Sequence, residues 1–263
     1  MINAFKKIKL YGLRQFISFA YSELKSIFYT QIINGSFSQN GEDLIIDKLL
    51  NYKKTGFYVD IGSYDPYRFS NTYRFYKRGW KGINIEPNVH NYKKFVTARP
   101  RDYNLNIGIC AKRANLDFYN LFPDTLSTFS KIDAIKYQKI GFEIIDKSKV
   151  KVERLDKILH KFRIKKIDFL SIDTEGFEME VLKSNNWENF NPKLVCVESF
   201  TFKRDRSKSK ERMEIRRFLS KVGYKKVYAN DTNIIYQSTK LSPVAPHHQS
   251  AYSKKSSNTS NRG

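Results

Sequence analysis

From residue 42 to residue 236 the chain alternates short apolar runs with longer stretches in which apolar residues recur at helical spacing. A short apolar run bounded by turn residues reads as a buried strand, and a 3.6-residue period reads as a helix packed on one face. Strands are therefore expected at 57–61, 82–86, 103–110, 167–172 and 194–198, with helices near 70–79, 88–97, 154–162, 177–184 and 208–222. An earlier helix follows the start signal Ser38-Gln39-Asn40-Gly41-Glu42-Asp43 and runs through Leu44, Ile45, Ile46, Leu49 and Leu50. Val227–Ala229 and Ile234–Tyr236 flank Asn230-Asp231 and read as a closing hairpin. The stretch 111–150 reads as less regular, with one short strand at Leu116–Tyr119. Alternating βα units of this length require a mostly parallel sheet with right-handed crossovers. The expected fold is α/β and Rossmann-like: seven strands, helices on both faces, and an antiparallel hairpin at the C-terminal edge.

Three segments follow from this pattern. Residues 36–238 form the α/β domain, and 239–263, rich in Ser, Asn, Pro and Lys, form a polar tail expected to be disordered. Residues 1–35 carry Leu13, Phe16, Ile17, Ala20, Leu24, Ile27 and Phe28 at helical spacing behind Lys6, Lys7, Lys9 and Arg14. Such a basic amphipathic helix, over 5–28, either docks on the domain's own sheet or lies on an anionic membrane surface. Arg14, Glu23 and Lys25 interrupt it, so it is not expected to span a bilayer.

Composition adds two constraints. A hydrophobic content of 40% excludes a disordered chain, and the net charge of +22 predicts anionic partners or surfaces. Cys110 and Cys196 each end an apolar run and read as buried free thiols, which points to a reducing, cytoplasmic setting. The four histidines are scattered or in the tail, so no His/Cys metal constellation is expected.

The chemistry is concentrated at the predicted strand ends. FYVDIGSYDP at 57–66 puts Asp60, Gly62, Ser63, Tyr64 and Asp65 at the end of the first strand, and GINIEP at 82–87 ends the next in Glu86. In a doubly wound sheet a glycine turn lets backbone approach a nucleotide-like ligand, and an acid ending the second strand takes ribose hydroxyls. The turn lacks G-x-G-x-x-G and adds Asp65, which would repel a pyrophosphate. It suits instead a ligand with a cationic amino-acid end, such as S-adenosylmethionine. Ligands bind at the carboxyl ends of parallel strands. The remaining ends carry Asn106, a further candidate for the cofactor, then Asp173-Thr174-Glu175-Gly176, and Glu198-Ser199.

These motifs are similar to those of the FkbM family of S-adenosylmethionine-dependent methyltransferases. The matching residues are SQNGED at 38–43, FYVDIGSYDP at 57–66, SNT at 70–72, YKRGWKGINIEPN at 76–88, and RLDKIL with IDFLSIDTEGFEMEVLK at 154–183. The resemblance covers about residues 36–200, in the family's order. It implies a class I methyltransferase fold, a donor held by the first glycine turn and Glu86, and transfer to a hydroxyl of a sugar, glycan or related small molecule. The chain departs from the family in placing Asp65-Pro66 where a second glycine is common.

A sugar hydroxyl is a poor nucleophile at neutral pH, so a positioned base is expected. Asp173 and Glu175 are the candidates for base or acceptor positioning, though Asp173 also suits a turn cap, and a divalent metal bridging the two stays open. Ser70, Asn71 and Thr72 are candidates for substrate binding or for an ordinary helix N-cap, and Glu178 for substrate binding or dipole compensation. Three rival classes remain. A nucleic-acid methyltransferase is suggested by the basic run from Lys203 to Arg217, but the chain lacks the Asn/Asp-Pro-Pro-aromatic motif of amino-methylating enzymes. A non-catalytic membrane adaptor is suggested by the N-terminal helix. An NAD-dependent oxidoreductase is weakened by the missing glycines.

Overall fold

The computed structural model describes residues 35–199 and 206–240. The amphipathic segment at 5–28, the start of the basic run and the tail from 241 lie outside the described residues. Helix α1 (Glu42–Leu49) leads into β1 (Phe57–Ile61), α2 (Tyr73–Lys77), β2 (Lys81–Ile85), α3 (Val89–Ala98) and β3 (Tyr103–Leu105). Two short elements and a hairpin follow: β4 (Gly108–Ile109), β5 (Ala114–Phe122), α4 (Lys131–Lys139) and β6 (Glu143–Glu153). The domain closes with α5 (Leu155–Lys161), β7 (Phe169–Ile172), α6 (Glu178–Lys183), β8 (Leu194–Glu198), α7 (Arg206–Lys221), β9 (Tyr224–Ala229) and β10 (Asn233–Ser238).

The seven-stranded sheet has the order β3-β2-β1-β7-β8-β10-β9. All pairs from β3 to β8 are parallel, and β10 runs antiparallel between β8 and β9. This is the class I methyltransferase arrangement, with its C-terminal hairpin. The chain order reverses between β1 and β7, and ligands of such sheets bind at that switch point.

Strand periodicity sorts the side chains onto two faces. Val59, Ile61, Ile83, Ile85, Leu170, Ile172, Val195 and Val197 point into one apolar core under α5, α6 and α7. The opposite face is apolar at the strand starts, where Tyr58, Phe169 and Leu194 meet Phe75 and Trp80. Further along it becomes polar. Asn104, Asn84, Asp60, Ser171 and Cys196 stand in register across five strands. A buried polar row needs partners. Asn84 Nδ2 donates to Asp102 and Asn104, Thr72 Oγ1 donates to Asp60 at 2.7 Å, and Asn71 Nδ2 donates to Ser171 Oγ at 3.1 Å.

Two expectations need correction. The run 103–110 is not one strand: the chain leaves the main sheet after Leu105, turns at Asn106 and joins a second sheet at Gly108. The cause is the Asn106 amide, whose Nδ2 donates to the carbonyls of Glu86 and Pro87 at 2.8 and 2.9 Å and bends the backbone there. Nor is 111–150 irregular. β5 and β6 form a long antiparallel hairpin, completed by β4 into a three-stranded sheet of order β4-β6-β5, with α4 inserted between its arms. Cys110 and Cys196 are both buried free thiols, as expected.

Candidate functional site

At the end of β1 the backbone turns through Gly62 with φ 76°. A Cβ at Gly62 would lie 1.7 Å from the Asp173 carbonyl oxygen, so only glycine lets the first and fourth parallel strands end this close together. Gly62 N–H donates to the Ile85 carbonyl at 2.9 Å, and Ser63, buried below it, shares that acceptor. The next N–H, of Tyr64, donates to Glu86 Oε2 at 2.8 Å, while Asn88 N–H donates to Oε1 at 2.8 Å. The turn after β1 is thus tied to the acid that ends β2.

Glu86 is buried, and loss of solvent pushes its carboxyl up to about 7 against the pull of those two N–H donors. Two donors leave lone pairs on both oxygens, which suits vicinal hydroxyls. Beside it, Pro87, Ile107, Gly108, Phe118, Phe129 and Phe177 line a narrow apolar slot. A glycine turn, a buried carboxylate with spare acceptors and an adjoining aromatic slot fit a nucleoside-bearing donor. Asp65 plays a local part: its Oδ1 accepts from Tyr67 and Arg68 N–H, and Lys94 lies 3.6 Å from its Oδ2. Asn106 fixes the backbone around Glu86 through its Nδ2.

Asp173 and Glu198 follow directly on the in-register pair Ile172 and Val197 of β7 and β8. Their carboxylates, with that of Glu175, offer one oxygen each within 4.8 Å of one another. Asp173 is exposed at the end of β7, yet protein atoms crowd its carboxyl. That enclosure raises its carboxyl to about 7. The hydrogen bond with Glu198 works the other way, and the charges of Glu178, Asp60 and Glu42 add to the rise. Two carboxyl groups can share a hydrogen bond only if one keeps a proton. Three carboxylates at this spacing can share a proton or ligate a hard divalent cation.

Glu175 takes up a left-handed backbone, φ 53°, and two partners fix it there. Tyr137 OH donates to its Oε2 at 2.6 Å, and Thr128 Oγ1 donates to its carbonyl at 2.8 Å. Glu178 is buried and turned inward. Its carboxylate accepts from Thr174 N–H at 3.0 Å and from Gly176 N–H, closing the loop that presents Asp173 and Glu175. Ser70 and Thr72 also face the interior. Ser70 Oγ accepts from Tyr73 N–H at the start of α2, and the buried Arg99 guanidinium donates to both Ser70 and Thr72. Asn71 alone of that triplet is half exposed. Asp60, 5% exposed, is held by Thr72 on the sheet face rather than at the rim, and burial pushes it up.

The geometry therefore groups Gly62, Ser63, Tyr64 and Glu86 around one turn, and Asp173 and Glu175 beside it. It sets Asp60, Ser70, Thr72 and Glu178 behind them as supports. Sequence reading noted Glu198 at its strand end but gave it no role; the parallel register is what brings it to Asp173. Tyr137 and Arg99 were missed. Tyr137 lies in the stretch read as irregular, and a lone arginine before a proline carries no sequence signal of burial.

The model of the methyltransferase FkbM domain family matches residues 60–226. No curated protein sequence matches the chain. Among solved structures, the methyltransferase FkbM from Methylobacillus flagellatus is 13% identical with a TM-score of 0.44, over 70% of this chain and 44% of that one. The precorrin-6y C5,15-methyltransferase from Geobacter metallireducens is 9% identical with a TM-score of 0.37, over 74% and 85%. The fibrillarin pre-rRNA processing protein from Methanococcus jannaschii is 11% identical with a TM-score of 0.37, over 76% of each chain. This chain thus spans under half the length of the FkbM structure, and likenesses so distant say nothing of its acceptor. The family match covers more than half of the chain, residues 60–226 of 263: the chain belongs to the FkbM family of methyltransferases.

Proposed function

We propose that the protein moves a methyl group from S-adenosylmethionine to a hydroxyl oxygen of a sugar, glycan or related small molecule. The observation that carries this reading is the carboxylate pair Asp173 and Glu198, carried on strand ends of which the first meets the Gly62 turn through the Asp173 backbone carbonyl. When bound, S-adenosylmethionine supplies a methyl already attached to a sulfonium leaving group. The residues of the chain have to hold that donor, orient the acceptor and take away one proton.

Gly62, Ser63 and Tyr64 give the backbone surface of the donor turn, Glu86 the acceptors for ribose hydroxyls, and the Ile107–Phe129–Phe177 slot an apolar bed for a flat base. Asp173 accepts the hydroxyl proton as the new bond forms. A carboxyl raised to about 7 is a stronger base than an ordinary aspartate and is still half ionised at neutral pH. Glu175, pinned by Tyr137, stands where it can accept a hydrogen bond from a neighbouring hydroxyl of the acceptor. Glu42, Asp60, Glu178 and Glu198 add to the negative field, which favours a neutral polyol over a polyphosphate at this centre. That field speaks against a nucleic-acid acceptor.

The test is release of S-adenosylhomocysteine with a panel of mono- and oligosaccharides and an RNA pool as competing acceptors, with and without a chelator. Turnover on a saccharide that Asp173→Asn abolishes supports the reading. Turnover on RNA alone, or saccharide turnover unchanged in Asp173→Asn, refutes it. Loss of turnover with chelator assigns the three carboxylates to a cation instead of a shared proton.

A further inference from the structure

The β5–α4–β6 arm carries an exposed apolar face that methyl transfer does not use. Among the described residues ten large hydrophobics are exposed, and four of them fall within the fourteen residues from Ile132 to Ile145. Ile132 is 69% exposed, Ile140 62%, Ile135 39% and Ile145 37%. Of the other six, Val89 and Val96 share one side of α3 and the remaining four stand apart from one another in sequence. Ile132 and Ile135 lie on α4, Ile140 caps its C-terminus and Ile145 stands near the start of β6. Ala134 and Tyr137 on one side of α4 are buried against Leu121, with Tyr119 and Ile144 packed beside them. Ile132, Ile135 and Lys139 fall on the other side at helical spacing.

Lysines frame this face. In the hairpin register Tyr119 opposes Lys147, Asp117 opposes Lys149 and Asn115 opposes Lys151. Opposed residues share a face, and Asp117, Tyr119 and Leu121 alternate onto one side of β5. The lysine row of β6 therefore continues the side of the hairpin that α4 packs against. Lys131 and Lys139, both exposed, flank the isoleucines on the helix itself. Between residues 112 and 151 seven basic side chains are exposed against two acidic ones, Asp124 and Asp146, although the part-exposed Asp117 pairs with Lys147 at 3.4 Å and with Lys149 at 2.7 Å.

We infer that this face docks the protein on an anionic lipid bilayer, with the isoleucines of α4 entering the headgroup–acyl boundary and the β6 lysines lying among lipid phosphates. A helix with aliphatic residues on one side and lysines at its edges is the form that lies in a bilayer interface. The charge balance disfavours other occupants. A second copy, carrying the same net +22, is repelled by a basic face, and the chain's own N-terminal segment, with Lys6, Lys7, Lys9 and Arg14, is basic as well. Nucleic acid takes lysines but gains little from aliphatic side chains, since unpaired bases stack on aromatic rings. Every large exposed apolar residue of the arm is isoleucine. The docking stands whether or not the methyl-transfer reading does.

The experiment uses the full chain carrying Ile132→Trp or Ile140→Trp, with phosphatidylcholine vesicles that contain, or lack, about a third of phosphatidylglycerol. The native Trp80 and Trp187 are buried and supply a constant background. The expected result is a blue shift of the new tryptophan on anionic vesicles only, reversed by salt. The pair Ile132→Ser with Ile140→Ser should lower vesicle partition by about tenfold per isoleucine. Each Lys→Gln at Lys131 or Lys151 should lower it by about fivefold. A tryptophan that stays red on vesicles overturns the proposal. So does one already blue without them, which would mean that the chain itself covers the face. Equal partition of the serine variant would place any membrane contact elsewhere, in residues 5–28.

Discussion

Gly62→Ala is the sharpest test of the donor turn. The new methyl would sit 1.7 Å from the Asp173 carbonyl oxygen and 2.8 Å from its carbon, which are backbone atoms that no rotamer change can move away. Relief to an ordinary contact needs a displacement of about 1.5 Å where β1 and β7 end. The hydrogen bonds Asp173 N–H to Ile61 O, 3.0 Å, and Gly62 N–H to Ile85 O, 2.9 Å, hold those ends. Weakening both costs about 2 kcal/mol, and alanine at a positive φ adds about 1 kcal/mol. For a domain of this size a loss of about 3 kcal/mol lowers Tm by roughly 6–12 °C. The displaced Tyr64 N–H also leaves Glu86, so S-adenosylmethionine affinity should fall by about tenfold or more. Gly79→Ala is the control: φ is 100° there, but nothing lies within 4 Å of the added carbon, so it should lose about 1 kcal/mol and no donor affinity. Differential scanning calorimetry and titration calorimetry read the two effects separately. A Gly62→Ala protein with the stability and donor affinity of Gly79→Ala would refute the close approach of the two strand ends and the placement of the donor there.

The remaining predictions concern charge. The rate should rise as pH passes through about 7, because Asp173 must lose its proton to act as base; in Asp173→Asn that inflection should vanish and kcat fall by about 10²–10⁴. Glu86→Ala removes the ribose acceptor and strands the N–H groups of Tyr64 and Asn88, so titration should show donor affinity lowered about tenfold or more, with kcat at saturation less affected. Asp47 tests stability. Burial by itself would raise its carboxyl, but hydrogen bonds from Arg78 and Arg74 outweigh that and hold it below the usual aspartate range. A depressed carboxyl stabilises the fold above the unfolded pKa of about 4, and the contribution disappears as pH falls through the lower folded value. Asp47→Asn should therefore lose about 2–4 kcal/mol at pH 7 in urea unfolding and show a flatter stability profile below pH 4. A variant that keeps the wild-type acid slope would remove Asp47 from the account.

The strands of the main sheet were legible because burial on both faces leaves runs such as FYVDI and LVCVE, which no surface segment would carry. The turn at Gly62 and the acid at Glu86 were legible because they stand at the ends of those runs, where the topology places a ligand. The β5–β6 hairpin was not. Its outward face is lysine, and although Val150 and Val152 alternate with it, Asp146 and Ser148 make the inward face polar further back and the register shifts next to Leu121, so the period of two is short. The run 103–110 misled for the opposite reason: Leu105, Ile107 and Ile109 are continuous in pattern, yet they serve two different sheets.

What the sequence alone determined is everything set by local period and turn chemistry: the βα alternation, the seven-stranded sheet, the closing hairpin and the glycine–acid pair of the donor turn. Only the tertiary structure decided which carboxylates meet at the end of the sheet and which are held inside it. Asp60, Asp173, Glu178 and Glu198 are indistinguishable as acids in the sequence; Asp60, Asp173 and Glu198 share one strand parity, and what separates them is distance along the strand. Asp60 falls on the sheet face and is held by Thr72, while Asp173 and Glu198 project past the last rung of β7 and β8 and meet. Tyr137, brought in from the arm to hold Glu175, depends on a contact across 38 residues. Such contacts depend on how elements pack, and the physics that selects them is burial and hydrogen-bond satisfaction summed over the whole domain, to which no single stretch of sequence has access.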